Sequence, residues 1–345
     1  MRLRVSAVLG LLILFLSGCV ISPRRDVSSG GGGGGGTPTG KLYVTLDSGN
    51  AILRFDNALT ATGNVPPAAI ISGTATLLLS PRSVALDIGS DRLFVADPGA
   101  NAVLVFDNIS TKNGNIAPTR TIAGASTNLI SPIDLALDGS RNLLYVADGG
   151  NIVVFSSASS VSGNQAPARI ITPSPAFNVS GIFLDAATDR LFVSDATTGA
   201  EAIKVFDNAS SLNNSVTAVR TIAGGNTQLG QPGNLIVDSA GRLIVSNFSP
   251  PKITVYSNAA TTSGNVTPLG AVTSTDMGSP SQIALNAANS DLYVADTFSA
   301  RVVVFANIGT ANGNVSANRN INGSSTQLGT VGITEPRGVA LDTTR

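Results

Sequence analysis

The chain has no histidine and no tryptophan, one cysteine, and only two glutamates, Glu201 and Glu335, in 345 residues. Without histidine it lacks the commonest general base and metal ligand. With a single cysteine it can form neither an internal disulfide nor a thiolate metal cage. An oxidising compartment is thus neither required nor excluded. Charge is also scarce: charged residues make up 12% of the chain, with 21 Lys and Arg against 21 Asp and Glu. A phosphate-binding surface needs a basic stripe, and none is present, so nucleic acid is not an expected partner. No metal or other cofactor is expected either. What is abundant is apolar material, 43% of the residues, enough for a large core and too much for a disordered chain.

That material is organised from the first residues. Arg2 and Arg4 precede an apolar stretch from Val5 to Leu16. Its length falls well short of the roughly 20 residues of a spanning helix and suits the core of a signal peptide. The stretch ends in Leu16-Ser17-Gly18-Cys19, which resembles the lipobox of bacterial lipoproteins. The resemblance implies cleavage after Gly18, a diacylglycerol on the Cys19 thiol and a membrane anchor of several acyl chains. Val20 stands where an Asp would mark inner-membrane retention. The implied address in a Gram-negative cell is therefore the outer membrane. Gly30 to Gly36 then form an unbroken glycine run before Thr37-Pro38-Thr39. Such a segment has little to bury and much backbone entropy to lose, so it reads as a tether. About 20 residues of this kind reach roughly 25 Å. The expected organisation is a signal segment over 1–18, a lipidated and Gly-rich tether over 19–39, and one folded domain over 40–345.

The domain repeats itself. Leu42-Tyr43-Val44, Leu93-Phe94-Val95, Leu144-Tyr145-Val146, Leu191-Phe192-Val193, Leu243-Ile244-Val245 and Leu292-Tyr293-Val294 recur at spacings of 51, 51, 47, 52 and 49 residues. Each is followed by an aliphatic run ending in Phe or Tyr, such as Val103 to Phe106. Turn signals such as Asn113-Gly114-Asn115 come next, then a third run such as Thr121-Ile122. A Pro-led fourth run closes the unit, such as Val84 to Asp87. Four short runs of β-forming residues divided by Gly, Asn and Pro predict four antiparallel strands per repeat. The runs are almost continuously apolar, as in sheets covered on both faces. A period near fifty with four strands predicts an all-β, six-bladed β-propeller. The fourth run carries a small residue at its second position in four repeats (Ala85, Ala136, Ala284 and Ala340), which places it innermost, where blades crowd together. The first three runs then lack an inner strand, which the run ending at Asp342 supplies by closing the ring.

The Leu-Tyr/Phe-Val-Ala-Asp run, the Val-Phe run after it and the Pro-led Val-Ala-Leu-Asp run resemble NHL-type propeller repeats. That group holds RNA binders, lyases, lactonase-like enzymes and interaction modules, so the resemblance implies a fold more than an activity. Kelch repeats have a similar period, but their Gly-Gly pairs and Trp are missing here.

Two sets of polar residues compete as sites. Asp97, Asp148, Asp195 and Asp296, with Asn247, recur at one strand end, and Asp87, Asp138, Asp185, Asp238 and Asp342 at another. Recurrence at a strand end predicts turn capping rather than a metal ring. Function is expected where repeats differ, just before the innermost strand. There Arg82, Asp134, Asn234, Gln282 and Arg337 would gather around one mouth of the channel as a ligand-binding set. No catalytic constellation is visible. Three roles stay open: a binding or scaffolding module of the cell envelope, engaging another envelope protein or a small polar ligand; a lactonase- or lyase-like enzyme on a small polar substrate, hard to build without histidine; or a structural, adhesive protein.

Overall fold

A computed structural model describes residues 39–329 and 336–345; the expected signal segment, Cys19 and nearly all of the expected tether lie outside them. Each repeat folds into one antiparallel sheet of four strands, as the spacing predicted. Among the described residues the only helices are five three-residue 3-10 turns. Blade 2 shows the pattern from axis to rim: Val84–Asp87, Arg92–Asp97, Ala102–Asp107 and Arg120–Ala123. Blade 1 is composite. Its innermost strand is Pro336–Asp342, paired antiparallel to Lys41–Leu46 with Leu341 opposite Leu42 and Val339 opposite Val44. Ala51–Asp56 and Ala69–Ser72 complete it.

The six innermost strands form a closed circle. Val84–Asp87 contacts Pro132–Asp138; contact then passes through Val179–Asp185, Pro232–Val237, Pro280–Asn286 and Pro336–Asp342 back to Val84–Asp87. This is a six-bladed β-propeller closed by joining the two ends of the domain, and it removes the open sheet edges that invite aggregation.

Burial explains the unbroken apolar runs. The second strands are covered on both faces, so Leu93, Phe94, Val95 and Ala96 are all buried. Successive side chains point to opposite neighbours: Leu104 and Phe106 of blade 2 pack with Tyr43 and Ile71 of blade 1, whereas Phe94 and Val103 pack with Leu144 and Val153 of blade 3. The small-residue row lies on the innermost strands as expected, but for a different reason. Its side chains do not meet at the axis. Ala85, Ala136, Ala284 and Ala340 each stand across the pair from an aromatic, Phe94, Tyr145, Tyr293 and Tyr43, and the ring takes the room the alanine leaves. In blade 5 the trade is even, Ile236 opposite Ile244, and blade 4 does not follow it, with Phe183 opposite Phe192.

A second circle runs around the rim. The outermost strand of each blade pairs in parallel with the turn of the next blade: Ile71 with Gly114, Ile122 with Gly163, Ile171 with Asn214, Ile222 with Gly264, Val272 with Gly313, and Ile321 back to Gly63. Asparagines lock four of these junctions. Asn115, Asn164, Asn265 and Asn64 accept the amides of Ala75, Ser126, Asn226 and Ser325 in the preceding blade at 2.7–2.8 Å. The amide of Asn115 lies against Gly73, where a Cβ would come within 2.6 Å of it and where φ is +112°. Only glycine combines that backbone with that approach.

Candidate functional site

The residues at the start of the innermost strands converge on one mouth of the channel; Asp134, Asn234, Gln282 and Arg337 lie within the first residues of their strands rather than before them, and only Arg82 precedes its strand. Arg82, Asp134, Asn234, Gln282 and Arg337 all line a single cavity of about 430 Å³ there, together with Phe248. The five expected residues, drawn from five different blades, are brought together. Their hydrogen bonding divides them into two groups.

Asp134, Asn234 and Gln282 are consumed by a belt across the channel. Ser83 Oγ and the Leu135 amide donate to Asp134 Oδ1 at 2.5 and 2.9 Å. The Ile182 amide and Asn234 Nδ2 donate to Asp134 Oδ2 at 2.8 and 3.0 Å. Gln282 Nε2 donates to Ser83 Oγ at 3.1 Å and to the Val84 carbonyl at 2.9 Å. Gln282 Oε1 accepts the amides of Val84 and Val339 at 3.1 and 2.9 Å. Asn234 Oδ1 accepts the Ile283 amide at 3.3 Å, which brings the belt back beside Gln282. Two blades contribute glycine to this row, and both are needed bare. A Cβ at Gly338 would sit 2.5 Å from the Arg82 carbonyl and 3.0 Å from Gln282 Oε1; one at Gly181 would sit 2.3 Å from the Gly233 carbonyl. Gln282 and Asp134 thus reach past blades 1 and 4 to tie their neighbours together. Asp134 is buried, and that burial pushes its carboxyl above the usual carboxylate range, only partly offset by the bonds from Ser83, Ile182, Leu135 and Asn234.

Arg82 and Arg337 are the other group. Asp47 lies 3.7 Å from the Arg82 guanidinium and 3.3 Å from that of Arg337, and it also accepts the Ser80 hydroxyl. The Arg82 side chain remains 41% exposed toward the cavity. Asp47 sits one residue beyond the recurrent aspartate row, whose place in blade 1 is taken by Leu46. The sequence pattern marked it only as a gap in that row.

The recurrent aspartates cap turns. Asp97 accepts the amides of Leu79, Ser80 and Ala100. Asp148 accepts those of Ile130 and Ser131, Asp296 those of Gly278 and Ser279, Asp195 that of Thr197, and Asn247 that of Gly230. The second row does the same at the other edge: Asp138 accepts Ser140 Oγ and the Arg141 amide, and Asp342 accepts the Thr344 amide. Among the described residues no three His, Cys, Asp or Glu side chains are placed to share a metal ion.

No family model matches the chain, and no curated protein does. Solved structures do. A chain in the crystal structure of a nidogen/laminin complex aligns with 87% of this chain and 98% of its own length, with a TM-score of 0.59 at 14% identity. A chain of Kuenenia stuttgartiensis hydrazine synthase aligns over 76% and 72%, with a TM-score of 0.49 and 14% identity. At such identity the likeness to the nidogen/laminin chain concerns the fold alone, and that fold is the β-propeller.

Proposed function

We propose that the protein is a binding or scaffolding module of the bacterial cell envelope, tethered through lipid on Cys19 and engaging another envelope protein with the face that carries the channel mouth. One observation carries this reading. Of the seven large hydrophobic residues exposed among the described residues, five lie on loops of that face: Leu77, Leu79, Ile130, Phe248 and Phe298. Phe298 is 68% and Ile130 66% exposed. Exposed aromatic and aliphatic groups concentrated on one face, with Phe248 at the edge of the polar mouth, are what protein contacts use as anchors. The belt beneath them makes the mouth a rigid floor rather than a passage. The propeller resembles a chain from a complex of two proteins, which agrees with such a role. The glycine run would let the body stand clear of an outer membrane.

Photo-crosslinking residues placed at Phe248 and Phe298 in living cells should capture a partner protein. The same residues at Val219 and Leu269, exposed on the opposite face, should not. Capture from both faces alike, or from the opposite face alone, removes the reading. Cys19→Ala should abolish lipid labelling and release the protein from membranes; a correctly cleaved variant that stays membrane-bound would refute the anchor.

A further inference from the structure

The clefts between successive blades are built from equivalent positions, so a cleft that departs from the rest is informative. Between blades 1 and 2 lies a cavity of about 690 Å³ whose lining holds no charged residue. Ala102, Leu104, Thr121 and Ala123 form its floor on blade 2. At the positions of Ala102 and Leu104 the other blades place cations: Lys204 in blade 4, Lys252 in blade 5 and Arg301 in blade 6. Blades 1 and 3 have uncharged floors too, but the left-handed residue over each is an amide, Gln327 and Asn128, and over blade 3 only Ile130 adds an exposed apolar group.

The cap sets this cleft apart. Each of four rim loops passes through one left-handed residue after its 3-10 turn: Leu77, Asn128, Gln228 and Gln327, with φ of 54–59°. Three carry amides, which suit that conformation and water alike. Blade 1 instead places a leucine there, 49% exposed over the cavity, with Leu79 58% exposed beside it. A leucine is disfavoured in that backbone region and in water. Two costs at one residue, absent from its three equivalents, mark a position kept for contact.

We propose that this cleft binds a neutral, mainly aliphatic small molecule. The volume lies within the range of small-molecule sites. The absence of charge leaves no counter-ion for an anionic or cationic ligand, while Ser72 and Thr74 offer hydrogen bonds to one alcohol or ester group. An extended peptide fits less well. It would need a free strand edge, and the edge of Ala69–Ser72 is already taken by the blade 2 turn, with the Ser72 amide donating to the Gly114 carbonyl. This cavity is separate from the channel mouth, with which it shares no lining residue, and its proposal stands without a protein partner, although Leu77 and Leu79 also belong to the exposed face described above.

The full chain in its membrane should be photolabelled with a neutral long-chain alcohol bearing an alkyl diazirine, and the adducts mapped by peptide mass spectrometry. Adducts should concentrate on residues 72–79 and 99–104 and be displaced by excess 1-dodecanol. Leu77→Gln should lower capture about tenfold, the worth of one buried leucine contact, without lowering thermal stability, because Gln228 and Gln327 already occupy that conformation. Ala102→Arg, the residue blade 6 carries there, should abolish capture. Equal labelling of the six clefts, labelling that dodecanol does not displace, or unchanged labelling in Leu77→Gln would each overturn the proposal. Should Ala102→Arg fail to fold, the Leu77→Gln result still decides.

Discussion

The recurrent aspartates at the blade edges and the one-of-a-kind residues at the channel look like structure and function respectively, and the bonds they make revise half of that division. Asp97 and its equivalents act locally, each tying the loop that enters its blade to the end of that blade's second strand. A job repeated blade after blade leaves the same residue in most repeats, here Asp in four, with Asn247 in a fifth and Leu46 in blade 1. Asp134, Asn234 and Gln282 act between blades, and six inner strands meeting at one axis do not need six identical side chains. They need one set that interlocks: an acceptor at Asp134, donors at Ser83 and Asn234, a two-sided amide at Gln282 and bare backbone at Gly181 and Gly338. Variation along a repeat row therefore has two sources, ligand contact and asymmetric packing. Only bond-by-bond accounting separates them. Here asymmetric packing accounts for the hydrogen bonds of three of the five expected ligand residues, all of which line the cavity, and Arg82 faces it as well.

The largest test of this comparison is to remove what both sets depend on. Deleting residues 336–345 takes away the inner strand of blade 1 and the partners of Gln282 and Thr45 in one stroke. Cooperative unfolding should be lost, as read by calorimetry, whereas deleting 20–38 should leave the transition intact. An unchanged transition after the first deletion would mean the ring does not depend on closure.

A sharper test sets Asp134→Ala against Asp97→Ala. The first strands four donors inside the channel floor, at an expected cost of about 3–5 kcal/mol for a buried polar group stripped of its partner. The second uncaps a rim turn whose amides water can reach in part, at about 1–2 kcal/mol. Coupling should separate them further. Asp134→Ala with Asn234→Ala should fall well short of additive, because the two share a bond. Asp97→Ala with Asp296→Ala, in different blades, should add. Additivity in both pairs, measured by denaturant unfolding, would show that the belt is not a unit.

The repeat itself, its four strands, the inner position of the Pro-led run and the closing strand were legible in the sequence, because each is written six times in residues that need only their neighbours. What was not legible depends on contacts between repeats. Asn115 reads as a turn residue, and nothing near it in sequence reveals that Gly73 and Ala75 are its partners. Ser83 bonds Gln282 across 199 positions, so the belt cannot be inferred from either repeat alone. The mouth residues were found by position in the ring; their hydrogen-bond state was not, since a polar residue at a channel looks the same whether spent or free. Leu77 carried a visible signal, an apolar residue in an otherwise amide row, but its meaning required the left-handed backbone beneath it.

The smallest effect separates the two sets by its sign. Burial holds the Asp134 carboxyl above its ordinary value, so the folded protein binds that proton more tightly than the unfolded chain does. Its contribution to stability is then full below the unfolded carboxylate range and is lost as pH rises through the folded value. Asp138, one of the turn aspartates, behaves oppositely. Burial pulls it up as well, but bonds from Ser140, the Arg141 amide and the Arg141 guanidinium outweigh that and hold it below the ordinary value. Its contribution is present above the unfolded range and is lost as pH falls through the folded value. Unfolding free energies should therefore be measured by denaturant titration from mildly acidic to neutral pH and further into acid. Relative to Asp134→Asn, the native protein should lose advantage as pH rises above the ordinary carboxylate value. Relative to Asp138→Asn, it should lose advantage as pH falls below that value. Asn places a donor among donors at Asp134, which lowers that variant at every pH and leaves the slope as the informative quantity. Slopes of the same sign for both variants would mean that the Asp134 carboxylate is as well compensated as a turn aspartate, and that the belt holds it in its ionised form.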